Sequence, residues 1–351
     1  MQLLRVLLYK GRREMKRTFY LFSSGLLERK DNTLKFTPVV TMDDGEHQMP
    51  PRFLPVEDIA EIYAFGSIRA NSALYNFLGQ NDIPLHFYDY YENYTGSFMP
   101  RDGLLSGRVL IKQVQAAQSK KHRTELARKF IEGASWNMVE NLNYYNRRGK
   151  LLTEQIDRIK SLTEMLAEVS DVKEVMGVEG NIRKVYYSCF DTIIDDFTMG
   201  ERSKQPPSNE VNALISFGNS LCYVETLRAI HQTQLNPTIS FLHTPGERRY
   251  SLCLDLSEIF KPILVDRVIF RVLNKHLLSE RSFDKKLNSC LLNEKGRKIF
   301  VKAMEDRLNE TFRHRSLGRS VSYRHLIKLE CYKLIKDIMG LEEYKPFKMY
   351  W

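Results

Sequence analysis

Residues 109–149 read VLIKQVQAAQSKKHRTELARKFIEGASWNMVENLNYYNRRG, with apolar side chains recurring at three- and four-residue intervals. That spacing lines them along one side of a helix, not on the alternating faces of a strand. LLTEQIDRIKSLTEMLAEV (151–169) keeps the same period, and loops rich in Pro, Gly and Asn, such as KQPPSNE (204–210) and QLNPT (234–238), separate further helical runs.

Upstream the pattern differs. RTFYLFSSGLLERKDNTLKFTPVV (17–40) alternates short aromatic and β-branched runs with the turn formers Ser-Ser-Gly and Lys-Asp-Asn, which predicts hairpin strands. After Pro55, a strand-like Ile62 to Phe65 leads to a short helix with Leu74, Phe77 and Leu78 on one face, and a second strand runs from Pro84 to Tyr88. YDYYENYTGSFMP (88–100), with Gly96 and Pro100, reads as a linker or interface loop, its tyrosines suited to packing on a second subunit or to stacking unpaired bases. The expected class is α+β: a small N-terminal mostly-β domain, residues 1–97, followed by a large all-α domain, residues 103–351.

A chain of 351 residues is long for one core, which agrees with two domains. With 43% hydrophobic and 27% charged residues it has the composition of a soluble globular protein, and no apolar run approaches the ~20 residues that span a bilayer. MQLLRVLLYKGRREMK at the start has neither a small-residue cleavage site nor a leading basic region, so it reads as mature sequence. A cytoplasmic location without membrane attachment is the expectation. The five cysteines are odd in number and none stand at C-x-x-C spacing, which argues against a disulfide framework and a cysteine zinc site and for buried reduced thiols.

Formal net charge is +10, and residues 295–349 carry 14 Lys and Arg against 7 Asp and Glu. Such a surface attracts a polyanion through counterion release, although basic proteins without nucleic-acid partners also exist.

Two segments bring acids and a histidine close to apolar sequence. In MGVEGNIRKVYYSCFDTIIDDF (176–197), Glu179 lies between Gly177 and Gly180, just ahead of an amphipathic run with Ile182, Tyr186, Phe190, Ile193 and Phe197 inward. An acid at a helix start is a favourable dipole partner. Flanking glycines point instead to close approach of the backbone to something else. In ISFLHTPGERRYSLCLDLSEIF (239–260), His243 precedes a Thr-Pro-Gly turn, and a helix starting near Ser251, a candidate N-cap, buries Leu252, Leu256 and Ile259. Asp255 and Glu258, three apart, share a helix face and repel unless solvated, ion-paired or holding a cation. Arg248, Arg249 and Lys261 are available as ion-pair partners. One imidazole and two carboxylates, from His243, Glu258 and Glu179, also form a mixed donor set suited to Mn²⁺ or Mg²⁺. A single histidine disfavours catalytic zinc. Arg183, Lys184, Arg248, Arg249 and Lys261 neighbour these residues in sequence and are candidates to hold a nucleic-acid backbone.

Long segments, among them YLFSSGLLERKDNTLKF, NFLGQNDIPLHFYDYYENYTGSF, MGVEGNIRKVYY, NALISFGNSLCYVETLRAI and HRSLGRSVSYRHLIKLECYKLI, make the chain resemble, nearly end to end, the CRISPR-associated endonuclease and integrase family of spacer acquisition called Cas-one. The resemblance implies a β domain used in homodimer formation, a helical catalytic domain, and an Mn²⁺ or Mg²⁺ site made by the acid of G-x-E-G, the histidine of F-L-H and the second acid of D-x-x-E. Here those are Glu179, His243 and Glu258, with Asp255 as an accessory catalytic acid. It also implies assembly with a dimer of the small partner Cas-two, and insertion of double-stranded spacer precursor into the CRISPR repeat by 3′-hydroxyl attack on a repeat phosphate. The basic tail then reads as backbone-binding surface, with Arg313, Arg315, Arg319 and Arg324 as the chosen contacts, or as a solvated helix face. A non-catalytic DNA-binding scaffold of the same fold is the alternative function.

Overall fold

Asp31, at a left-handed φ of 54°, reverses the chain between β2 (Gly25–Lys30) and β3 (Thr33–Met42), which pair antiparallel from Lys30↔Thr33 to Gly25↔Pro38. The predicted hairpin is therefore present. The strand before it, β1 (Arg17–Leu21), joins a different sheet. The computed structural model describes residues 16–100, 104–246, 250–286, 289–314 and 317–350, and its contacts divide the chain into two units between Asp102 and Gly103.

In the first unit, β3 also pairs with β4 (Gly45–Gln48) and β5 (Arg52–Pro55). β6 (Ile59–Ala64) runs parallel to β1, and β7 (Ile68–Arg69) closes the sheet of β2 and β3. Helix α1 (Ser72–Gln80) is capped by Asn71, whose side chain accepts from the Leu74 N–H. Its Leu74, Phe77 and Leu78 are buried with Leu27, Leu34, Ile62 and Leu85 in one core. β8 (Leu85–Tyr88) lies parallel to β6. The expected linker that follows is instead a strand, β9 (Tyr94–Phe98), antiparallel to β8. The Asp89 carboxylate accepts from the Asn93 N–H, and Glu92 adopts a φ of 66°, so this polar turn reverses the chain where glycine and proline suggested a loop.

The second unit is helical. The long periodic stretch is broken at Ser119, whose extended backbone ends α2 (Gly107–Gln118) and caps α3 (Lys120–Asn146). Then follow α4 (Thr153–Glu164), α5 (Val172–Ser188), α6 (Phe190–Ile193), α7 (Glu210–His231) and α8 (Ser251–Lys261). Most of α7, including Leu214, Phe217, Leu221 and Leu227, is buried, as befits a helix apolar on nearly every side.

After α8 the chain takes one π-helical turn, Pro262–Asp266, before α9 (Arg267–Asn274). The wider turn shifts the helical hydrogen-bond ladder and leaves carbonyls open to other donors. Two buried amides of α3 take them up: Asn137 donates to the Ile259 oxygen at 2.8 Å and Asn141 to that of Pro262 at 2.5 Å. Gly218 allows α7 to pack tightly on this turn, since a Cβ there would stand 2.4 Å from Val265 Cγ1. The remainder comprises the hairpin β10 (Phe283–Lys286) and β11 (Ser289–Leu292), α10 (Glu294–Asn309), the hairpin β12 (Thr311–Arg313) and β13 (Ser320–Ser322), and α11 (Tyr323–Ile338). All five cysteines are buried and none forms a disulfide with another, and among the described residues no helix is long and apolar enough to cross a membrane.

Candidate active site

Glu179 stands in the middle of α5, two turns beyond the cap made by Asp171, so the dipole of a helix start does not explain it. Gly177 and Gly180 also lack the close approach expected of them: a Cβ at either would meet nothing within 4 Å. They leave bare helix surface on both sides of the carboxylate. The helix ends sooner than predicted, at Ser188, although Phe190 and Ile193 of α6 are buried as expected and Phe197 beyond it is half-buried.

His243 lies in the bend between α7 and α8, and polar side chains of the neighbouring helices bolt that bend in place. From α2, Gln113 donates to the carbonyls of Asn236 and Ile239; from α3, Arg123 donates to that of Phe241. At its centre is Asp255 of α8, fully buried. One carboxylate oxygen accepts from the N–H groups of Phe241 at 2.6 Å and Leu242 at 2.9 Å; the other accepts from the His243 N–H at 2.9 Å and from its Nδ1 at 2.8 Å. A carboxylate only accepts, so Nδ1 carries a proton, and Nε2 presents its lone pair when the ring is neutral. Asp255 thus spends its oxygens on shaping the loop. Ser251 is the first residue of α8 and not its cap, and its hydroxyl donates to the Thr238 carbonyl.

Glu258, one turn along the same helix, has different partners. Arg183 of α5 donates Nε to Glu179 at 2.5 Å and a second nitrogen to Glu258, so one guanidinium holds two acids 79 positions apart in the chain and both are drawn to one point. Lys261 grips the other oxygen of Glu258 at 2.6 Å. Burial pushes the Glu258 carboxyl upward, but Arg183 and Lys261, with a smaller pull from His243, outweigh it and hold the group down at about 2. Glu179 and His243 remain about a quarter exposed, whereas Glu258 is nearly covered.

Several neighbours of this cluster are barely marked in the sequence. Asp266 ends the π turn and is pushed up to about 7 by burial, against the pull of Arg183 and a hydrogen bond with Tyr186. The Tyr187 hydroxyl sits 3.4 Å from Arg183. Asn137 and Asn141, a helical turn apart in a run that is otherwise core, were the one visible hint, since buried amides on a helix need carbonyls to bond.

Among the described residues, no three His, Cys, Asp or Glu side chains stand together as a ready metal cage. The donor chemistry nonetheless fits a divalent ion. Two carboxylates converge on a single cationic group, and an imidazole fixed through Nδ1 by a buried carboxylate keeps Nε2 available, the usual support for a metal-binding histidine.

The chosen DNA contacts divide. Arg183 and Lys261 are ion-paired to the acids. Arg324 is held by Glu225 and Glu305. Arg313 and Arg319 are exposed. Arg248, Arg249 and Arg315 lie outside the described residues.

Fold and site together define an α+β protein whose helical unit gathers two acids and an oriented histidine beside basic side chains. The family model described as CRISPR associated protein Cas1 matches residues 19–306, and the chain belongs to that family. A protein of Fusobacterium nucleatum subsp. nucleatum named CRISPR-associated endonuclease Cas1 is 46% identical over 338 residues, covering 96% of this chain and 98% of its own. The solved structure of a Cas1 protein from Thermotoga maritima is 37% identical with a TM-score of 0.80, covering 95% of this chain and all of that one. A casposase bound to integration product is similar in fold, with a TM-score of 0.83 at 21% identity, over 95% of this chain and 93% of that one.

Proposed function

We propose that this chain is a divalent-metal-dependent DNA endonuclease and integrase of CRISPR adaptation, with Glu179, Glu258 and His243 Nε2 as the ligands of Mn²⁺ or Mg²⁺. The observation that carries the reading is the convergence of both carboxylates on Arg183 beside a histidine oriented by Asp255. When bound, such an ion supplies Lewis-acid stabilisation of the charge that develops on phosphoryl and departing oxygens. The chain's own residues do the rest. Asp255 keeps the His243 proton on Nδ1 and the ring in one orientation. Lys261 and Arg183 place positive charge where a phosphodiester would lie, and Arg313 and Arg319 offer exposed cations to the backbone. Phosphate contacts of that kind position DNA without reading its sequence.

Attack by water and attack by a DNA 3′-hydroxyl use the same groups, so cutting and strand transfer are two outcomes of one site. Family membership supports the wider assembly: a homodimer formed through the β unit, a Cas-two dimer as partner, and double-stranded spacer precursor and CRISPR repeat as substrates. The competing role, a DNA-binding scaffold without catalysis, is separated by His243→Ala. Strand transfer in Mn²⁺ is expected to vanish while duplex binding stays within a few-fold of the parent. Undiminished strand transfer refutes the enzyme assignment.

A further inference from the structure

We infer that Arg183 is the resident counter-cation of the two acids, which a divalent ion must displace in order to bind. The inference rests on the metal-centre reading above and goes beyond it, because it assigns a function to a residue that is not a ligand.

Glu179 and Arg183 are one helical turn apart on α5, the spacing at which acid and base meet on a helix surface. The rest of the guanidinium fork reaches across to Glu258 on α8, and Lys261 takes the remaining oxygen of that acid. Two negative charges thus meet two positive ones, with Arg183 and Glu258 mostly shielded from water. Without the guanidinium, two poorly solvated carboxylates would face each other, an arrangement that repels.

A divalent ion needs at least one oxygen from each acid. The oxygens that converge are the ones bonded to Arg183. Ion and guanidinium therefore compete for the same oxygens, because their like charges oppose sharing them. Metal uptake is an exchange of one cation for another. A landing place adjoins the site: the Tyr187 hydroxyl lies 3.4 Å from one Arg183 nitrogen, and the Tyr187 ring centre 5.9 Å from the guanidinium carbon. Once displaced, Arg183 stays beside the ion as a free donor for a phosphate oxygen.

The sign of the effect separates this role from a structural one. A residue that merely organised the acids would weaken metal binding when removed, whereas a competitor strengthens it. The test is calorimetric titration of the full-length, chelator-treated protein with Mn²⁺, for the parent, Arg183→Gln, Arg183→Lys and His243→Ala. Arg183→Gln should bind about tenfold more tightly, the loss of one competing charge-assisted contact. Arg183→Lys, a point charge without the fork that spans both acids, should fall between. The metal-free Arg183→Gln protein should melt below the parent and recover more on Mn²⁺ saturation than the parent does. Weaker or unchanged affinity in both Arg183 variants, with binding still lost in His243→Ala, overturns this inference alone. If no protein shows binding that depends on His243, the metal-centre reading falls and this inference with it.

Discussion

Replacing Asp255 by Asn keeps the shape of the side chain and changes only what it can donate and accept, which makes it the most direct probe of the loop that carries His243. The parent carboxylate takes four hydrogen bonds, two on each oxygen. The amide oxygen of Asn retains the pair from Phe241 and Leu242. Its NH₂ then faces two donors, the His243 N–H and the His243 Nδ1–H. Hydrogen bonds to a charged group are worth about 1.5–3 kcal/mol each, so two lost contacts set an upper bound of roughly 3–6 kcal/mol. The imidazole relieves one of them by moving its proton to Nε2 and accepting at Nδ1, which lowers the expected loss to about 2–3 kcal/mol. That shift places a proton on the nitrogen proposed to bind metal, so Mn²⁺ affinity should fall about 10–100-fold. Asp255→Ala, which leaves three buried N–H groups without their acceptor, should cost more, about 4–5 kcal/mol. Urea unfolding followed by tryptophan fluorescence suits the measurement, because Trp136 lies on α3 of the helical unit and the first unit contains no tryptophan. A midpoint for Asp255→Asn equal to the parent's, together with Mn²⁺ affinity within about twofold, refutes the account of how His243 is held.

The Glu258 carboxyl, held at about 2 against an ordinary carboxylate value of about 4.3, stabilises the fold above that ordinary value and loses this contribution as pH falls toward 2. Roughly 2–3 kcal/mol should disappear across that interval, and in Glu258→Gln the acid limb of the stability profile should be correspondingly shallower, as urea midpoints between pH 5 and pH 2 will record. Arg324→Ala removes one partner of Glu225 and of Glu305, the former almost fully buried but still beside Arg228, so we expect a loss of about 2 kcal/mol in stability with little change in duplex affinity. Loss of affinity without loss of stability would return Arg324 to the DNA-binding surface. Changing Arg313, Arg315 and Arg319 together to Ala should weaken binding alike for unrelated duplexes and flatten its dependence on salt; a loss confined to one sequence contradicts backbone binding.

How far the fold could be read from the chain depends on how local its cause was. The β2–β3 hairpin needed only the turn at Asp31 and alternating side chains, and the buried face of α1 followed from its period. β9 was missed because its aromatic, glycine-containing sequence carries no strong alternation, and it is a strand only because β8 offers a free edge. The break between α2 and α3 was hidden inside unbroken helical spacing, since Ser119 marks a cap only when the chain turns there. For Glu179 the glycines misled, since they border open surface, and the acid that shares its Arg183 partner lies on another helix, α8.

Residue chemistry and short-range periodicity are written along the chain, which is why a β unit before a helical one, the basic character of the C-terminal region, and His243 and two distant acids as candidates were legible from it. Which acid does what was not. Asp255 and Glu258 sit a helical turn apart on α8 with the same charge, yet one shapes a loop and the other meets a guanidinium 75 positions away. Those assignments follow from the packing of α3, α5 and α8 around the π turn that begins at Pro262, because buried charges take whichever partners the packing brings within about 3 Å.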